Sequence, residues 1–228
     1  MFQWLFPKKR SAIGLPALRQ NFSQMLMDAH REMTLGCGAF LRQLKAEDVA
    51  DELFTLDKQI NRAERTIRRE LFINAVIYGE RCLVPCFTLM SLVKDAERLG
   101  DIAKNFYDLA VQGSAPSGGM LDQMAAMQAA LLELTIQCRK VFEEQNEEEA
   151  RELIFRVSEL EDDCDEQIGW YLKDRPNPAS LDVVYALALR YFKRYAAHLR
   201  NITSAVVQPL HKIDFTGKIV KQYREENV

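Results

Sequence analysis

Lys94-Asp95-Ala96-Glu97-Arg98-Leu99-Gly100-Asp101 lies inside a long run of helically spaced apolar residues, and its reading decides how the chain is built. On a helix, Glu97 and Asp101 share one face, one turn apart. Two like charges at that spacing repel by roughly 0.2–0.5 kcal/mol unless a cation sits between or opposite them. Gly100 adds to the oddity. A glycine inside a helix costs roughly 1 kcal/mol against alanine and marks a close approach by a neighbour. Paired carboxylates beside a small residue, facing into a bundle, are a cation-site arrangement.

Upstream, Asp57-Lys58-Gln59-Ile60-Asn61-Arg62-Ala63-Glu64 sets oxygen-bearing side chains at i, i+4 and i+7. If the two segments form an antiparallel hairpin, residues that lie level have a constant sum of residue numbers. Asp57 with Asp101 and Asn61 with Glu97 share the sum 158, which centres the turn at Gly79, within Tyr78-Gly79-Glu80. The two ladders are therefore expected to meet at one level.

Outward from this hairpin, apolar residues recur at three- and four-residue steps over 15–44, 49–76, 81–111, 120–144, 147–173 and 180–207. No strand-like alternation bounded by turns occurs. Gly113-Ser114-Ala115-Pro116-Ser117-Gly118-Gly119 interrupts the pattern, and Asp174-Arg175-Pro176-Asn177-Pro178 separates the last two segments. The expectation is an all-α chain of six helices in two tandem three-helix bundles, an internal duplication. The first spans residues 1–112, a linker 113–119, the second 120–208, and a C-terminal tail 209–228. The second half repeats the geometry. Glu161 and Asp165 are four apart, and the sum 358 sets them level with Ala197 and Lys193, about a turn centred at Ala179.

The chain has 228 residues, 48% of them hydrophobic, with a formal net charge of −3, enough apolar material for a substantial core. The near-neutral balance gives no reason to expect nucleic acid as partner. No apolar run reaches the roughly 18 residues that span a bilayer. Met1-Phe2-Gln3-Trp4-Leu5-Phe6-Pro7-Lys8-Lys9-Arg10 is too short for a signal peptide. Its aromatics followed by basic residues suit a membrane surface or a partner groove; the alternative is a packed or disordered terminus. Cys37, Cys82, Cys86, Cys138 and Cys164 form no disulfide framework and no zinc set, and read as reduced core thiols of a cytoplasmic protein. Glu-x-x-His pairs, nucleophile elbows and phosphate-cradling loops are absent, so no enzyme is expected.

Ala96-Glu97-Arg98-Leu99-Gly100-Asp101-Ile102-Ala103-Lys104-Asn105 resembles the L-E-R-I-G-D-H-A-x-N signature of the PhoU family. Residues 56–67 are similar to that family's D-x-x-x-N-x-x-E-x-x-I pattern. Residues 190–202 resemble R-Y-x-E-R-x-G-D-H-x-x-N-I, with Lys193 where the motif has Glu and Ala197 where it has Asp. The resemblance implies a metal site on Asp57, Glu64, Glu97 and Asp101, with Asn61 as a carbonyl donor, for iron, zinc, magnesium or manganese. It also implies a negative regulator of phosphate uptake, set between a phosphate transporter and a membrane sensor kinase at the cytoplasmic face. Other readings are an accessory of a sodium–phosphate or other anion carrier, and a metal-free helical adaptor; the oligomeric state, homo-oligomer included, stays open. The departures imply a degenerate second site, in which Lys193 places its ammonium among Glu161, Asp162 and Asp165. Arg98 and Arg194 hold the motif arginine positions, and His198 the motif histidine.

Overall fold

A computed structural model describes residues 14–113, 115–173 and 180–227. Residues 1–10, 174–178 and Ala179, all singled out above, lie outside the described residues. The described residues form α1 (Leu15–Phe40), α2 (Ala46–Tyr78), α3 (Leu83–Gln112), α4 (Gly119–Glu144), α5 (Glu147–Lys173), α6 (Ser180–Val207) and α7 (Gly217–Asn227), with no strand among them.

The fold class is all-α, as expected, but with seven α-helices instead of six. The seventh, α7, occupies part of the expected C-terminal tail. Its 11 residues fall below the roughly 12–15 at which an isolated helix holds itself, so its stability comes from packing. Ile219 is buried, the Tyr223 ring stacks on Phe155 of α5 with centroids 5.0 Å apart, and Arg224 ion-pairs with Glu159. A second correction concerns α1, which stops at Phe40 and not at Leu44. Arg42 takes a left-handed φ of 57°, and the Gln43 and Leu44 N–H groups donate to the Gly38 carbonyl at 2.9 and 3.1 Å, closing the helix end.

The α2–α3 hairpin turns at Gly79, whose φ of 55° and ψ of −137° a residue with a Cβ adopts only under strain, followed by the short 3₁₀ turn Gly79–Arg81. α1 lies against both arms. It approaches α3 closely at Gly36, where a Cβ would stand 2.1 Å from the Ala103 carbonyl oxygen. In the second half, the Asn146 Oδ1 accepts the Glu148 and Glu149 N–H groups at 3.1 and 3.2 Å and caps α5. The acidic run Glu147–Glu149 thus occupies the positive end of that helix.

α1, α2 and α3 pack on one another, α4, α5 and α6 likewise, and the sets join where α1 meets α4 and α3 meets α6. Phe22 of α1 meets Phe142 of α4 at 4.8 Å between centroids. Phe106 of α3 meets Phe192 of α6 at 4.6 Å. One apolar core runs through both sets, and a smaller cluster of Leu35, Ala39, Val49 and Leu53 closes the α1–α2 end. The 113–119 break therefore falls between helices that share a core. All five cysteines are buried and free.

Candidate carboxylate and lysine site

The hairpin register brings the two acidic ladders together. Lys104 donates to Asp57 Oδ1 at 2.6 Å and ion-pairs with Asp101 at 2.9 Å, so Asp57 and Asp101 stand level across it. Asn61 donates its amide to Asp57 at 3.0 Å. One stage along, Lys94 lies 2.7 Å from Glu97 and 3.8 Å from Glu64. Glu64 and Lys94 share the sum 158, the register inferred for the hairpin. Arg68 adds a contact to Glu64 at 3.1 Å, and Arg98 one to Asp101 at 2.9 Å. Four carboxylates are thus strung on two lysines and two arginines.

Burial alone would lower the Lys104 pKa, but its hydrogen bonds to Asp57 and Asp101 outweigh burial and raise it. Lys104 is therefore a fixed positive charge standing where a cation between Asp57 and Asp101 would stand. Lys94 has the same position between Glu64 and Glu97. Among the described residues, no three Asp, Glu, His or Cys side chains converge as a metal-ligand set. In this arrangement an ammonium group stands between the two carboxylates of each pair, the place a bridging metal would take.

A residue that sequence reasoning missed lies directly beneath. Glu32 of α1 is 0% exposed, and neither carboxyl oxygen has a hydrogen-bond partner. Its Oε2 would lie 2.6 Å from a Cβ at Gly100, which, with Ile60 at 3.1 Å, is why that position takes glycine. Burial, then the charge of Asp57, pushes the Glu32 pKa up to about 9, against the opposing pull of Lys104. Glu32 is accordingly a neutral acid at pH 7. Its signal was present in the sequence: it falls on the apolar stripe of α1 between Met25, Ala29, Met33 and Gly36.

The second half pairs differently from the expectation. Lys193 donates to Asp165, in the register read from the sequence, but Glu161 takes Arg200 at 2.7 Å and Asp162 takes Arg224 of α7 at 3.8 Å. Three cations thus replace the single lysine proposed for the cluster, because α7 and a position about two turns further along α6 bring their own. Burial raises the Glu161 pKa, with Arg200 and then Lys193 opposing it. His198 bonds through Nδ1 to Asp95 Oδ1 at 2.7 Å, where Asn201 also donates at 3.1 Å, fastening α6 to α3. Arg98 and Arg194 line one surface pocket of about 370 Å³ together with Phe54, Lys104 and Asp108.

Residues 26–110 match the family model described as the PhoU domain. The chain is 28% identical over 162 residues, 66% of its length and 70% of the relative's, to a "Phosphate-specific transport system accessory protein PhoU homolog" of Synechocystis sp.. Its fold is similar to that of the phosphate transport system regulatory protein PhoU from Streptococcus pneumoniae, with a TM-score of 0.68 and 17% identity, over 86% of this chain and 94% of that one. All three comparisons point to similarity with PhoU proteins. Within the PhoU match lie both ladders, Glu32, Gly100 and the lysines between them. Glu161, Asp165 and Lys193 lie outside the matched span.

Proposed function

We propose that this chain regulates phosphate uptake and signalling by binding protein partners at the cytoplasmic face of the membrane, as a restraint on a phosphate transporter and its sensor kinase, with no catalysis of its own. The observation that carries the reading is the PhoU match over residues 26–110, which takes in the Glu97-Arg98-Leu99-Gly100-Asp101 segment and the ladder facing it. A relative named as an accessory protein of a phosphate-specific transport system supports it. In this reading the chain is two repeats, 1–112 and a degenerate second at 120–208, joined by 113–119 and sharing one core.

The test is retention of partners. Immobilised protein, given solubilised membranes from its own cells, is expected to retain the phosphate transporter or the sensor kinase. Retention of a sodium–phosphate or other anion carrier in their place would favour the carrier-accessory reading. Retention of none would contradict the function.

For the site itself, the resemblance implies a metal on Asp57, Asn61, Glu64, Glu97 and Asp101, whereas the ion pairs of Lys94 and Lys104 favour a metal-free form. We adopt the second: the lysines carry the counter-charge, and iron, zinc, magnesium or manganese enters only where they are displaced. Elemental analysis of the purified protein beside a Glu97→Ala/Asp101→Ala variant tests this. Equal, negligible metal in both agrees with it. Metal in the parent that is lost in the variant contradicts it.

A further inference from the structure

The free end of the α2–α3 hairpin carries apolar side chains that the fold does not use. The inward face of α2 there buries Ile67, Leu71 and Asn74, so the core is complete without the outward face. On that outward face Phe72 is 67% exposed, Val76 68% and Ile77 64%, with Ile73 beside them. Phe72 with Val76 and Ile73 with Ile77 are i, i+4 pairs that stack along the helix. Phe87 of α3, also exposed, lies level with Leu71 and Phe72 by the hairpin register. Isolated exposed apolar residues are ordinary, whereas a group of five gathered at one end of a hairpin marks a contact surface.

The same face changes character one turn back. Arg62, Arg65 and Arg69 are exposed at helical spacing behind the apolar tip, and Arg81 stands exposed at the turn. Arg62, Arg65 and Arg81 have no ion pair among the described residues; Arg69 has Glu70 at 3.1 Å. A two-fold contact through the apolar tip would bring these arginines toward their own copies, which disfavours a second chain as the occupant. An apolar tip backed by arginines instead matches a surface with an apolar interior and anionic groups above it. The described chain also begins at this tip: a Cβ on Gly14 would stand 3.8 Å from the Asn74 side-chain amide. Among the described residues no helix is long and apolar enough to cross a membrane, so such contact is peripheral.

We propose that the α2–α3 tip docks on an anionic lipid surface, with Phe72, Ile73, Val76, Ile77 and Phe87 entering the headgroup boundary and Arg62, Arg65, Arg69 and Arg81 facing the lipid charges. This goes beyond the regulatory reading and does not depend on it. The test is co-sedimentation of the full chain with vesicles of phosphatidylcholine alone or mixed with phosphatidylglycerol. The parent is expected to bind the mixed vesicles, more weakly as salt rises. Phe72→Ser/Val76→Ser/Ile77→Ser should weaken binding by about tenfold or more while its thermal transition is retained, as expected for exposed positions. Arg65→Glu/Arg69→Glu should abolish the preference for phosphatidylglycerol. The proposal is overturned if the parent ignores the mixed vesicles, or if the serine variant binds them as well as the parent. A parent dimer that the serine variant converts to monomer would also overturn it and assign the tip to a second copy.

Discussion

Glu32 is the residue that most distinguishes this bundle from a simple apolar one. Its folded pKa of about 9 stands above the ordinary value of 4.5. Below the unfolded value both states hold the proton, and the neutral acid is tolerated. As pH rises through the interval between the two values, the unfolded chain releases a proton that the folded chain keeps, so stability falls until the folded group ionises. Each pH unit in that interval costs about 1.4 kcal/mol. Glu32→Gln should therefore match the parent near pH 4 and exceed its stability by a few kcal/mol at neutral pH, measured by urea unfolding across pH. Parallel pH profiles would show that Glu32 ionises normally. Gly36 sets a second constraint, since its missing Cβ would stand 2.1 Å from a backbone oxygen that no rotamer change can move. Gly36→Ala should cost about 1–3 kcal/mol or more by driving α1 from α3. An unchanged urea midpoint would deny that close crossing.

At the scale of elements, the α2–α3 hairpin was legible because its register follows from arithmetic on charged positions. Asp57 faces Asp101, and Glu64 reaches Lys94, as a turn at Gly79 requires. The helix spans were legible too, since apolar spacing runs unbroken over many turns. α7 was not, because Ile219, Val220 and Tyr223 are too few to display a period. Nor was the partnering of the acids: spacing brings carboxylates level but does not say which neighbouring lysine folds in between them. Lys104 joins two aspartates, and all three side chains are less than a third exposed. Lys104→Ala should cost about 1.5–3 kcal/mol by leaving those two carboxylates facing each other. Added manganese or magnesium should restore part of that loss in thermal melts of the variant while leaving the parent unmoved. A variant insensitive to both ions would mean that the acids are simply hydrated.

For the whole molecule, the packing of one set of helices on the other is the part that periodicity could not supply. A buried face shows that something covers it, not what. Phe106, fully buried, ties α3 to Phe192 and Tyr191 of α6 and to Phe40 of α1, so both sets lean on one ring. Phe106→Ala should cost about 3–5 kcal/mol. Both parent and variant should melt in a single transition, because the core is continuous. Two separate transitions would show halves that fold independently. The functional reading also belongs to this scale, since it treats the chain as a partner-binding body in a phosphate-transport system. The most direct measurement is phosphate uptake, in phosphate-replete medium, by cells lacking this protein and by the same cells supplied with it. Uptake that rises in its absence and returns to the parental level on complementation is the result predicted here. Uptake indifferent to its presence would contradict the account.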